Sequence, residues 1–478
     1  MEIKQTADGR CNDLFEQTKW YEENIRVQDL KYRMGYHLMP PTGWMNDPNG
    51  LCQMNGRYHV FFQYTPGDAA GDGYRGWGHY SSGDLLNWRY EGLALAPDTP
   101  WDKDGAYSGC ALIEAGRMYL YYTGNVKEPG EHDYILSGRG ANVLLVESPD
   151  GYQMGEKKLL LTNADYPPDY SCHVRDPKVF KENDSYYMVL GGRTREDKGK
   201  VLLYRSADKY NWSLLNQITT EEPFGYMWEC PDLFSLEGRT FLSVSPQGLE
   251  AEPYRYQNMY QSGYFTINGD YKKDGVPDNF TEWDMGFDFY APQTFMDEKG
   301  RRILFGWVGN PDAEYSNDTI NGKWQHCLSV PREVTVKEGK LYQNPVEELK
   351  RLRTKEKRLP SGCTATTGSA FELEIESRDA GRALGEIKIV VAEGMIFRYD
   401  GKGRFLLEFT SEIGAGRKIR QALLPDLRRV RMLMDASVAE IYINDGEMVF
   451  TTRLYPKERT LVVNAENTVN TLWELENS

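Results

Sequence analysis

The sequence predicts an all-β protein, a five-bladed β-propeller followed by a C-terminal β-sandwich. Three observations carry that expectation. One hairpin-sized segment recurs five times in the first two thirds of the chain. Apolar and polar residues alternate through the last third. Aromatic residues make up 13% of the chain, and their rings pack well on pleated surfaces.

Each recurring segment carries a Pro or Gly, a short apolar strand, a polar turn and a second, aromatic-rich strand. The segments begin at Asp47, Ser108, Asp176, Cys230 and Ala291. Their aligned positions are Pro48, Gly109, Pro177, Pro231 and Pro292. The spacing exceeds the ~40–50 residues of common propeller repeats, and loop insertions account for the excess. A second element, Ser-x-Asp-x-x-Asn-Trp, runs from Ser82 to Trp88 and again from Ser206 to Trp212, two repeats later. One small sheet cannot bury both of its faces. Five around an axis can, with few exposed edges. Residues 35–342 are therefore read as the propeller. Residues 1–34 are polar and read as a helical extension. Residues 343–362 are charged, place Leu349 and Leu352 at helical spacing, and read as a connector helix. Residues 363–478 read as the sandwich, with alternating runs from Phe371, Glu386, Phe405, Val430, Ala439 and Thr460.

Composition excludes several function classes. The net charge of −15 repels a polyanion, so no nucleic acid partner is expected. No apolar run is long enough for a membrane span. The first residues lack the basic-then-apolar pattern of a secretory signal. Seven cysteines without a CxxC pair indicate neither a zinc site nor a disulfide framework, and reduced thiols fit a cytoplasmic protein. None of the six histidines stands at a zinc-ligand spacing. The expected partner is a small molecule, with no metal and no cofactor. Nothing in the sequence sets an oligomeric state.

The repeat register brings three acids together. Asp47 precedes Pro48, Asp176 precedes Pro177, and Glu229 lies two residues before Pro231. In a propeller the first strand of each blade lines the central channel. Acids at its start converge on a funnel at one rim. Crowded, desolvated carboxylates drive their pKa values apart, leaving some ionised and one protonated near neutrality. Glycoside hydrolysis requires that division of labour. Taken singly, Asp47-Pro48-Asn49-Gly50 and Arg175-Asp176-Pro177 are good turn sequences, and Glu229 reads as a surface acid. The shared register favours function.

These motifs resemble glycoside hydrolase family 32, the fructan-active group of invertases, sucrose-6-phosphate hydrolases and fructan hydrolases. The resemblance rests on HLMPPTGWMNDPNGL from His37, FFQYTP from Phe61, WGHYSSGDLLNW from Trp77, YSGC from Tyr107, RDPKVF from Arg175 and WECPDLF from Trp228. It continues through DMGFDFYAPQTF from Asp284, GWVG from Gly306, CLSVPREV from Cys327 and MDASVAEIYINDGE from Met434. It implies a retaining β-fructofuranosidase acting through a fructosyl-enzyme. Asp47 then matches the nucleophile, Glu229 the general acid/base and Asp176 the transition-state stabiliser. Asn46, Gln63, Tyr107, Ser108, Arg175 and Trp307 match substrate contacts. Two departures stand out. Residues 67–76 lack a Trp found in many relatives near the leaving-sugar side, and Cys110 replaces a common Ser. Two other readings remain open, a fructosyltransferase on the same acids and a non-catalytic carbohydrate-binding propeller. Arg193 and Arg195 offer phosphate contacts, or else belong to a solvated turn.

Overall fold

The computed structural model describes residues 13–27, 30–315, 317, 322–379 and 381–476. Among the described residues the chain is all-β apart from one α-helix and short 3₁₀ turns. Between Gly43 and Pro345 lie five sheets, each built on a four-stranded meander taken in chain order. Their first strands are Gly43–Met54, Ala106–Glu114, Tyr170–Glu182, Met227–Leu236 and Tyr290–Met296. The five recurring sequence segments supply the first two strands of each sheet. Successive first strands touch one another, and the fifth meets the first again. Cores form between neighbouring sheets. Trp77 and Phe61 of the first pack with Leu120 and Tyr122 of the second, and Ile303 and Phe305 of the fifth pack with Met45 and Val60 of the first. Trp324–Gln325, which lies in sequence between two strands of the fifth sheet, pairs in parallel with Gly43 and Trp44 of the first.

The Ser-x-Asp-x-x-Asn-Trp elements are turns between the third and fourth strands of sheets one and three. Asp84 accepts the backbone N–H of Leu86 and Asn87, and Asp208 accepts those of Tyr210 and Asn211. The indole N–H of Trp88 donates to Leu85 O, and that of Trp212 to Lys209 O, each at 3.1 Å. Four identical residues thus encode one turn twice.

The C-terminal region holds two six-stranded sheets. Both contribute to a single core that includes Leu373, Ile389, Phe397, Met432 and Phe450. All six alternating runs noted in the sequence are strands. The predicted connector helix is corrected by the structure. Glu347–Leu352 forms a 3₁₀ helix, and Arg353–Arg358 is a strand paired with Thr468–Leu475. Leu349 and Leu352 are both buried, but an i, i+3 pair suits a 3₁₀ turn as well as an α-helix. The next positions on that face, Lys355 and Glu356, are charged, so the apolar face stops at Leu352.

Residues 1–12 of the predicted helical extension lie outside the described residues. Within it, Leu14–Asn24 is a helix capped by Asp13, whose side chain accepts the N–H of Phe15 and Glu16. Glu22 fixes it to the first sheet by accepting from Tyr64 and Tyr90.

A buried charge network joins the two regions. Arg332, fully buried, donates to Glu440 at 2.7 Å and to Asp284 at 3.3 Å. His37 bridges Asp435 at 2.8 Å and Glu440 at 2.9 Å. Arg417 forks onto Asp288 at 2.7 and 2.6 Å. Burial alone lowers the His37 pKa, but hydrogen bonds to Asp435 and Glu440 outweigh it and hold the ring up at about 9. The folded value lies above the ordinary 6.5. The stabilisation is therefore complete below about pH 6.5 and fades as pH rises through about 9. A His37→Gln protein melts well below wild type at about pH 6, and the gap narrows toward about pH 10. A gap independent of pH in paired calorimetric scans refutes this assignment.

Candidate active site

The first strands share one irregularity, and it builds the site. Each breaks register with its neighbour at the same point of the repeat: between Met45 and Pro48, Ala106 and Gly109, Glu229 and Asp232, Tyr290 and Gln293, and opposite the Val189–Gly191 step. Proline has no N–H to offer a ladder, so it fits such a bulge without losing a bond. Asp176, Cys230 and Ala291, each just before a proline, take left-handed φ values of 63°, 47° and 49°. A bulge re-aims side chains. Here it turns consecutive residues toward one cavity. The acids consequently lie within strands rather than at their starts, as the register alone had placed them.

The cavity measures about 340 Å³. All nine sequence-derived candidates line it: Asn46, Asp47, Gln63, Tyr107, Ser108, Arg175, Asp176, Glu229 and Trp307. Asp47 is held on both oxygens. Asn46 donates to Oδ1 at 3.1 Å and Ser108 to Oδ2 at 2.5 Å, with Gln63 in turn 2.5 Å from Ser108 Oγ. Cys230 Sγ lies 3.6 Å from Asp47 Oδ2 and 3.7 Å from Asp176 Oδ2, so both aspartates flank one thiol. Asp176 also accepts the Cys230 N–H at 2.9 Å. Glu229 receives Arg175 on Oε1 at 2.5 Å, and Gln247 and Tyr290 on Oε2 at 2.8 and 2.7 Å. The Tyr290 hydroxyl has a second acceptor, Ser245 O at 3.3 Å. It can turn there when Glu229 carries a proton. Gly191 permits this packing, since a Cβ there would lie 2.0 Å from Trp228 O.

Charge and burial couple the three acids. Burial pushes Asp47 up, against hydrogen bonds from Ser108 and Asn46, and Glu229 adds to the rise. Burial raises Asp176 as well, opposed first by Arg175 and reinforced by Glu229 and Asp47. Burial works against the Arg175 charge, but Glu229 and Asp176 outweigh it and keep the guanidinium protonated. Asp47 and Asp176 are therefore both pushed toward their neutral forms. No cluster suited to a metal ion occurs among the described residues.

Several lining residues were not among the candidates: Trp44, Ala70, Arg75, Arg139, Gln247, Tyr290, Asn310 and Asp312. Tyr290 had a signal. It stands two residues before Pro292, as Glu229 stands two before Pro231. Ala70 and Arg75 come from the stretch that lacks the Trp of many relatives.

Comparison with known proteins matches this architecture over nearly the whole chain. The N-terminal domain model of glycosyl hydrolases family 32 covers residues 37–345, and the C-terminal model covers residues 340–475. A sucrose-6-phosphate hydrolase of Bacillus subtilis (strain 168) is 42% identical over 456 residues, spanning 91% of this chain and 92% of the relative. A raffinose invertase of Escherichia coli is 37% identical over 471 residues, spanning 92% and 94%. Among solved structures, a Bombyx mori β-fructofuranosidase superposes with a TM-score of 0.84 at 31% identity, over 97% of this chain and 98% of that one. With both of its regions matched in order and its fold superposed end to end, this chain belongs to glycosyl hydrolase family 32.

Proposed function

We propose that this protein is a retaining β-fructofuranosidase that hydrolyses terminal β-D-fructofuranosides such as sucrose, sucrose 6-phosphate or short fructo-oligosaccharides. The observation that carries the reading is the convergence of Asp47, Asp176 and Glu229 on one cavity, with Arg175 paired to Glu229. The relatives' names, sucrose-6-phosphate hydrolase and raffinose invertase, support the same substrate class.

In this reading the five sheets are the blades of a closed propeller of residues 35–342, and residues 363–478 are the sandwich. The contact of the fifth first strand with the first supports closure. Asp47 attacks the anomeric carbon of fructose, and Glu229 hands its proton to the leaving oxygen. Asp176 accepts fructose hydroxyls and opposes the positive charge of the oxocarbenium-like transition state. Asn46 and Ser108 bond the carboxylate form of Asp47, which favours the ionised nucleophile that burial disfavours. Water then enters, Glu229 takes its proton, and the fructosyl-aspartate opens. Asn46, Gln63, Tyr107, Ser108, Arg175 and Trp307 contact the sugar. No step needs a metal or cofactor. A cytoplasmic location fits the six free cysteines among the described residues, and no described helix is long and apolar enough to cross a membrane.

Two displacements at one carbon return its original configuration. NMR of the early products of sucrose cleavage therefore shows β-fructofuranose first, before mutarotation. Initial release of the α-anomer indicates single displacement and removes Asp47 from its role.

A further inference from the structure

We infer that Arg139, backed by Arg193, forms a subsite for a phosphomonoester carried on the leaving sugar. The inference rests on the fructosidase reading and adds to it the charge of the preferred substrate.

Arg139 lines the cavity, yet no carboxylate lies within ion-pair distance of it among the described residues. Its Nε is buried without a hydrogen-bond partner. Burial works first against its charge and Arg175 adds to that, while the neighbouring Tyr107 side chain supports it. The other cations are differently placed. Arg175 is committed to Glu229 and to His173 Nδ1, the latter at 2.7 Å. Arg193 pairs with the exposed Asp197 and lies 4.6 Å over the Tyr226 ring. His173 marks where the three meet. Its Nε2–H donates to Tyr134 O at 3.0 Å, and burial together with Arg175, Arg139 and Arg193 pushes it down to about 3. It stays neutral, so its own ring adds no charge to the three guanidiniums that act on it.

Three guanidiniums thus act on one neutral imidazole in a protein of net charge −15. A partly buried cation without a counter-ion is costly unless something anionic arrives. The position says which sugar carries the anion. Arg175 links this cluster to Glu229, the group that protonates the leaving oxygen. Fructose sits over Asp47, Asn46 and Gln63, so the cluster faces the departing sugar. A guanidinium fork suits a phosphate, offering paired N–H donors to two of its oxygens. Neutral sucrose leaves Arg139 without a counter-ion.

The test compares kcat/KM for sucrose 6-phosphate with that for sucrose in wild type, Arg139→Met, Arg139→Lys and Arg195→Ala. Arg195 is exposed and donates to Pro168 O, so it serves as a charge control. Arg139→Met lowers the phosphorylated-to-neutral ratio roughly 10- to 100-fold, the range for a lost charged hydrogen bond. Arg139→Lys restores part of it, and Arg195→Ala leaves it unchanged. An unchanged ratio in Arg139→Met, or equal losses on both sugars, overturns the inference. Calorimetry of glucose 6-phosphate and glucose gives an arm that needs no turnover. Tighter binding of glucose 6-phosphate, lost in Arg139→Met, supports the subsite, and equal binding of the two rejects it. If wild type cleaves neither disaccharide, the fructosidase reading fails, and the calorimetric arm still decides this one.

Discussion

Asp47→Asn protein folds normally and loses about 10³-fold or more of its kcat on sucrose. The substitution keeps the shape of the side chain and removes only the charge that attacks carbon. Asn46 and Ser108 still find an amide oxygen and nitrogen to bond. Because burial raises the Asp47 pKa, the ionised group costs stability at neutral pH. Its neutral replacement therefore melts at or above the wild-type temperature. Initial rates of glucose release and a thermal scan check both halves. Wild-type turnover by this variant would end the assignment of the nucleophile, and a lowered melting temperature would contradict the burial argument.

Glu229→Gln is the second large effect, with a loss of about 10²- to 10⁴-fold on sucrose. The cause is the missing proton for a poor leaving group. A p-nitrophenyl β-fructofuranoside needs no such proton, so its cleavage to the fructosyl-enzyme suffers far less. Burst kinetics on that substrate reveal the accumulating intermediate, because the same side chain must later activate water. Equal losses on both substrates, with no burst, indicate that Glu229 only shapes the pocket. The resting bonds from Arg175, Gln247 and Tyr290 make the variant tolerable. Tyr290 can turn to Ser245 O and leave space for the amide.

Much of this was legible in the sequence because one register governs both fold and site. The positions two residues before the aligned Pro or Gly are Asn46, Tyr107, Arg175, Glu229 and Tyr290, and every one lines the cavity. The positions one residue before are Asp47, Ser108, Asp176, Cys230 and Ala291. The first three line the cavity, and Cys230 lies between two of its acids. Applied only to acids, the register overlooked Tyr290. Gln247 was hidden for another reason. It ends a second strand, while Gln63 lies two residues before the end of its own, and the second strands share no repeated proline to fix their alignment. Arg139 begins a third strand after a loop without a repeat signature, so only its three-dimensional neighbours reveal it. The connector helix was misread because two leucines three apart fit two helix types. Strands such as Arg353–Arg358 escaped notice because a charged edge strand has no apolar alternation.

The seam charges have a consequence for anyone recombining relatives. His37, Asp284, Asp288 and Arg332 come from the first region, and Arg417, Asp435 and Glu440 from the second. Apart from Asp284, whose ion-pair partner Arg332 lies in its own region, each is half of a pair completed by the other half of the gene product. A graft that exchanges the second region must carry all three of its seam residues with it. One that does not strands ions in a dry interface, and the hybrid unfolds before its catalytic pocket can be assayed.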